Sequence, residues 1–246
     1  MAMNKAKITK EAISIKLVKT KESDAMITAL GPEGLFSFYA RGVSKITSKN
    51  AAAVQPLTYA KYSLVESSTG SLTLGESEPI ASFLGLGGDL AQMAALSFIQ
   101  EISSKLIADD EGAKDYPWLL AALTAIKNGF DPLSAALIYF AQLLKNGGVG
   151  LNVDSCVVCG KKENIVAISY QEGGFLCGDH FLPGVGEACG KRRLQILRYI
   201  FRLPINSFEK VSFEKDETVL LLESLARYVD SFNNLKLNSL SLFKVI

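Results

Sequence analysis

Three of the four cysteines and the single histidine of this 246-residue chain fall in residues 155–180, SCVVCGKKENIVAISYQEGGFLCGDH. Cys156 and Cys159 form a Cys-x-x-Cys knuckle backed by Gly160, and Cys177 and His180 form a Cys-x-x-His knuckle after seventeen intervening residues. A two-residue gap lets both side chains of a knuckle face one ion while the backbone turns around it. The intervening NIVAISYQEGGFLC reads as a β-hairpin with Gly173 and Gly174 in the turn, which returns the second knuckle to the first. Three sulfurs and an imidazole suit tetrahedral Zn2+, and four protein ligands leave no position for water or substrate, so the expected ion is structural. Cys189, nine residues beyond His180, is the alternative fourth ligand, although the tighter spacing favours the histidine. A module this small is expected to draw its folding energy from the ion.

The same cluster restricts catalysis. With His180 used as a ligand, no histidine is left for a Ser-His-Asp or Cys-His arrangement. The H-x-E motif of zinc deaminases is missing, as is a phosphate-binding P-loop, and the carboxylates form no legible acid/base pair. The glycines of GLGGD (85–89) and NGGVG (146–150) sit at helix boundaries and read as caps. Enzymatic turnover is not expected.

Around the cysteine module the chain divides by texture. The first eighty residues hold five short segments rich in β-branched and aromatic residues: AISIKLVKT, AMITALG, LFSFYARG, LTYAKYSLVES and SLTLGES. Turn signals at 31–34 (GPEG) and 66–71 (ESSTGS) separate them. Five strands in so short a span fit a small closed barrel, OB-fold-like or SH3-like. After Pro79 the pattern becomes helical. Leu90, Met93, Ala94, Ser97, Ile99, Ile102 and Leu106 follow helical spacing behind Asp89 as N-cap. Pro117 and Gly129 bracket a second helix, and Asp131, Pro132 and Gly147 a third. GKRRLQILRYIFRLP is a basic amphipathic helix, and KDETVLLLESLARYVDSFNN carries the stripe Val219, Leu222, Leu225, Ala226 and Val229. The expected fold is α+β. An OB-fold-like barrel over residues 1–78 precedes an α-helical domain over 79–246, with the zinc module inserted at about 154–190. No apolar run approaches the ~20 residues of a membrane helix, and the N-terminus does not read as a signal peptide, so a reducing cytoplasm is expected.

Net charge is +1, but it is unevenly spread: residues 1–64 hold ten Lys/Arg against four Asp/Glu, and residues 81–150 hold four against seven. Residues 187–246 return to ten against seven. Basic ends around an acidic middle point to polyanion contact on particular faces. In LFSFYARGVSK, Phe36, Phe38 and Ala40 are expected to face the barrel core, and Ser37, Tyr39 and Arg41 the outside. Tyr39 beside Arg41, with Lys45 and Lys49 following, is the aromatic-plus-cation pairing that single-stranded nucleic acid uses. Lys191, Arg192 and Arg193, with Arg198 and Arg202, extend the candidate basic surface. Cations at a helix N-terminus oppose its dipole, so their placement needs a partner or a purpose, with solvated charge on the outer face as the alternative reading.

The order of parts, with TKESDAMITAL, GLFSFYARGVSK and AAVQPLTYAKY on the barrel ahead of a helical bundle bearing a zinc module, resembles the bacterial RecO family of DNA repair and recombination mediators. Its marks are residues 22–24, Gly34, residues 40–42, residues 55–57 and the cysteine module. The resemblance implies an OB-fold followed by an α-helical domain and no enzymatic turnover. It also implies binding of single- and double-stranded DNA, annealing of complementary strands, and contact with single-strand-binding protein and RecR, which together help load RecA. The family usually has a denser basic run after its Ala-Arg-Gly step; two lysines here predict modest DNA affinity and a shallower salt dependence. The competing reading of a barrel joined to a zinc module is an RNA-binding protein of translation or RNA processing.

Overall fold

The computed structural model describes residues 6–84, 89–108 and 112–246. Five strands, β1 (Lys7–Lys19), β2 (Ala25–Gly31), β3 (Gly34–Ala40), β4 (Thr58–Glu66) and β5 (Leu72–Ser82), form a closed barrel in the order β1-β2-β3-β5-β4. Antiparallel β1–β4 pairing and a short parallel β3–β5 pairing at Phe38↔Leu72 and Tyr39↔Thr73 close it. This is the strand order of an OB-fold. Alternation works as expected on β3: Phe38 and Ala40 are fully buried and Phe36 partly so, while Ser37 is exposed. Strand structure continues to Ser82, past the expected boundary at residue 78. Beyond Thr73, β4 is the only strand paired with β5, so Pro79, which has no N–H to offer, is tolerated on the edge without a strand partner.

Residues 41–57 link β3 to β4 through consecutive turns and close one end of the barrel. Val43, Ala53 and Val54 enter the barrel core, and the buried Tyr62 hydroxyl donates to the Ala53 carbonyl at 2.7 Å. Leu57 ends the connection with φ at 54°, a left-handed conformation unusual for a leucine. Its N–H donates to Ser14 O at 2.7 Å, its carbonyl accepts from Phe83 N at 3.0 Å, and its side chain is wholly buried. Those interactions offset a backbone cost of about 1–2 kcal/mol.

The helices are α1 (Leu90–Leu106), α2 (Tyr116–Lys127), α3 (Pro132–Asn146), α4 (Lys191–Arg202) and α5 (Lys215–Asn233). Asp89 accepts from Gln92 N at 2.9 Å and Asp131 from Ser134 N at 2.7 Å, the N-caps that the sequence indicates. Of the GLGGD segment, residues 85–88 lie outside the described residues. On α1 the expected stripe is corrected at its start. Leu90 and Met93 are exposed, and Phe98 and Leu96 join Ala94, Ile99 and Ile102 in the core. Helix α3 is buried over most of its length, and its Tyr139 hydroxyl shares a 2.8 Å hydrogen bond with Ser103 on α1.

Barrel and helices share one core. Ile13, Ile15, Leu30 and Leu57 pack in the same cluster as Phe98, Phe140 and Leu225. Gln100 Nε2 on α1 also donates to the Ile15 carbonyl at 2.8 Å. The cysteine module carries a second, three-stranded sheet in the order β7-β6-β8, from β6 (Ile165–Ser169), β7 (Gly174–Cys177) and β8 (Glu187–Ala188). Gly173 takes φ 74° in the turn, whereas Gly174 already begins β7. Gly174 is required for a different reason: a Cβ there would lie 2.4 Å from the Asn152 carbonyl and 2.7 Å from Val157 Cγ1. Gly174→Ala is therefore expected to destabilise the protein by about 3 kcal/mol, at the upper end for overpacking, read as a lowered urea midpoint. An unchanged midpoint would show that the hairpin is not clamped at this point.

Candidate metal centre and nucleic-acid interface

Two turns and one hairpin bring the four predicted ligands together. In the first knuckle, Gly160 N donates to Cys156 O at 2.8 Å and Cys156 N to Lys161 O at 2.8 Å, with Gly160 at φ 73°. In the second, His180 N and Phe181 N both reach the Cys177 carbonyl, at 3.0 and 2.9 Å. The donor atoms of Cys156, Cys159, Cys177 and His180 all lie within 4.8 Å of one another. Cys159 Sγ is 3.8 Å from Cys177 Sγ, and His180 Nδ1 is 3.3 Å from Cys177 Sγ and 3.9 Å from Cys156 Sγ. A regular tetrahedron with metal–sulfur arms of about 2.3 Å has edges of ~3.8 Å, so the spacing fits one four-coordinate ion. Cys189 is not part of this group; it is buried in the helical core with Ile168 and Phe175.

The protonation chemistry of the sulfurs points the same way. Burial opposes the Cys156 thiolate, but the backbone N–H groups of Cys177, Cys159 and Val158 outweigh it and bring the pKa down to about 6. At Cys159 the Lys161 N–H favours the thiolate, yet burial and the adjacent Cys156 and Cys177 sulfurs prevail and push the thiol up. Adjacent thiolates repel; a divalent cation among them removes that conflict. The cluster can therefore hold a metal ion, and its four donors suit a bracing role.

The module is fixed to the helical domain from both sides. Ala167, Leu176 and Cys177 form a small cluster with Cys156 on the metal side of the hairpin, whereas Ile168 and Phe175 pack into the main core. Arg202 on α4 holds Asp154, just ahead of the first knuckle, in a two-point contact of 2.6 and 2.8 Å. Lys161 and Asp179, one from each knuckle, pair at 2.6 Å across the site.

On the barrel, three cations stand on one pinned loop. Asp24, in the β1–β2 turn, accepts from the Tyr39 hydroxyl at 2.5 Å and from Gly42 N at 2.8 Å. These two bonds, the Tyr39 hydroxyl foremost, hold the Asp24 carboxyl below its usual range, so it stays ionised and keeps its grip at neutral pH. Ser44 N donates to Ser23 O at 3.0 Å, and Asn50 spans to β5 through Gly75 O at 3.2 Å and Ser77 N at 2.9 Å. Arg41, Lys45 and Lys49 are exposed on this loop, and none takes a carboxylate partner among the described residues. Tyr39 also completes an outward row with Met26 and Val18 across three strands; Met26 is 39% and Val18 46% exposed.

The second basic group is differently placed. Arg193 pairs with Glu217 at 2.6 Å and Arg192 approaches Glu214 at 3.9 Å, both from the start of α5, while Lys191 is exposed. These carboxylates are the partners that the cations at the α4 N-terminus require. Arg198 and Arg202 face Asp154. Sequence reasoning did not reach Asp24 or Asn50 as loop anchors, since a lone acid and a lone amide give no periodic signal.

Cys177→Ser is expected to take bound metal from about one equivalent per chain to nearly none. The accompanying loss of about 3 kcal/mol would lower the melting temperature by ~10 °C. Cys189→Ser should leave metal content unchanged. Elemental analysis of purified variants checks both, and full metal content in Cys177→Ser would eliminate this centre.

Comparison with known proteins follows the same division of the chain. Residues 3–83 match the family model described as recombination protein O N terminal, and residues 87–241 match that described as recombination protein O C terminal. The curated DNA repair protein RecO of Bacillus cytotoxicus is 31% identical over 240 residues, covering 93% of each chain. That of Bacillus mycoides is 30% identical over 232 residues and 90% of each chain, and that of Bacillus cereus 29% over 239 residues and 93% of each. With both family models matched in order on the barrel and on the helical domain, the chain belongs to the recombination protein O (RecO) family.

Proposed function

We propose that the protein is a non-enzymatic mediator of DNA repair and recombination that binds single- and double-stranded DNA and anneals complementary strands. The observation that carries this reading is the cluster Arg41, Lys45 and Lys49, which has no carboxylate partner among the described residues and stands on a loop pinned at both ends. Charges left unanswered inside a chain of net charge +1 are available to phosphates. The outward row Val18, Met26 and Tyr39 supplies an apolar face for unstacked bases, with the Tyr39 hydroxyl holding the loop in place. Lys191 and Arg192 add phosphate contact from α4, and Arg193, held by Glu217, adds less. By neutralising phosphates on two strands, such a surface lowers the repulsion between them while their bases pair.

The ion in this reading is one structural Zn2+, which suits three sulfurs and an imidazole at tetrahedral spacing. It stiffens the module against α4 and the hairpin, keeping the helical face fit for docking protein partners. Family membership supports single-strand-binding protein and RecR as those partners, RecA loading as the outcome, and a cytoplasmic, nucleoid-associated location. Among the described residues no helix is long and apolar enough to cross a membrane.

The test is annealing of complementary oligonucleotides coated with single-strand-binding protein, run across a salt series. The protein should accelerate pairing. Replacing Arg41, Lys45 and Lys49 together with alanine should reduce the slope of log affinity against log salt by about 2–3 on DNA. Absence of acceleration at every salt concentration removes the mediator reading. Tighter binding to RNA than to DNA of the same sequence would transfer the interface to RNA metabolism.

A further inference from the structure

Between Lys45 and Lys49 the pinned loop carries an isoleucine with its whole side chain in solvent: Ile46 is fully exposed, more so than any other large apolar residue of the described chain. Single exposed apolar residues are common on protein surfaces, but this one stands on an unusually constrained support. Val43, three residues before it, is buried in the barrel core. Ser44 N is bonded to Ser23 O at 3.0 Å, Lys45 N to Gly42 O at 3.2 Å and Ser48 N to Lys45 O at 3.0 Å. Asn50, four residues after it, is bonded to three atoms of β5. The loop thus holds a β-branched, torsionally stiff side chain outward, with its shape already set before any ligand arrives.

From this placement, and resting on the nucleic-acid reading above, we propose that Ile46 is an apolar prong that inserts between adjacent bases of a strand held by Arg41, Lys45 and Lys49. The chemistry of the surroundings selects the occupant. Arg41, Lys45 and Lys49, exposed on the same loop and without carboxylate partners among the described residues, flank the prong in sequence, and a phosphate chain seated on them would bring its bases to the isoleucine. Apolar side chains flanked by cations are the means by which proteins part stacked bases. Parting them fits annealing, because a base freed from its own stack is exposed to its complement. The prong contributes nothing to the packed core, so its removal leaves the fold intact.

The experiment uses the full-length protein and a single-stranded DNA oligonucleotide carrying 2-aminopurine, whose fluorescence rises when the base unstacks, with affinity measured in parallel by anisotropy. Binding of the unaltered protein should raise fluorescence several-fold. Ile46→Ala should bind within about threefold of the same affinity and with the same salt slope, but with most of the fluorescence rise lost. Ile46→Leu should restore it. An equal rise in Ile46→Ala, or binding by the unaltered protein without any rise, overturns the prong while leaving the interface standing. Failure of the unaltered protein to bind the oligonucleotide at low salt overturns both.

Discussion

Four donors drawn from residues up to 24 positions apart must meet within 4.8 Å of one another, and the hairpin between the two knuckles is what brings them there. That requirement explains the local structure on both sides of it. Gly160 and Gly173 take left-handed turns, and Gly174 lets the hairpin lie against the Asn152 backbone. The hairpin is then used twice. One face completes the cluster around Cys156 and Cys177, and the other sends Ile168 and Phe175 into the helical core. Fixing the donors therefore also fixes the position of α4, whose Arg202 clamps the chain just before the first knuckle.

A second continuity joins the barrel to the helices. The barrel has its own core around Phe38 and Tyr62, but Ile13, Ile15, Leu30 and Leu57 turn away from it into the helices. Residues 112–114 press against this joint: a Cβ on Gly112 would come within 2.9 Å of Leu30 Cδ1. Interiors packed to this density transmit displacement rather than absorb it. The cationic loop is thus carried on a scaffold whose orientation relative to the helical domain is set by a shared apolar core.

Much of this was legible in the sequence because the signals were local. Strands announced themselves through β-branched and aromatic runs between glycine turns, and helices through Asp89, Asp131 and Pro132 acting at their first turns. The metal cluster was legible for the same reason, since each knuckle is a four-residue motif. What could not be read was non-local. Leu90 and Met93 match the helical period, yet both are exposed among the described residues at the start of α1. Pro79 looks like the end of the barrel, although β5 there has an edge without a strand partner, on which proline is harmless. Lys191, Arg192 and Arg193 read as a basic surface because Glu214 and Glu217 lie on another helix.

That last contrast bears on the proposed engagement of a polyanion by a nearly neutral protein. Net charge governs long-range attraction, and at +1 it supplies little. What remains is local: a cation already paired inside the protein must exchange one carboxylate for one phosphate, with small gain, whereas an unpaired cation releases condensed counterions from the nucleic acid. Arg193 and Arg202 belong to the first kind and, among the described residues, Arg41, Lys45 and Lys49 to the second. Counting basic residues along the chain therefore overstates the α4 surface and understates the barrel loop. The pairing of α4 with Asp154, Glu214 and Glu217 spends those cations on holding the helical domain together, whereas the loop cations make no such pairing among the described residues.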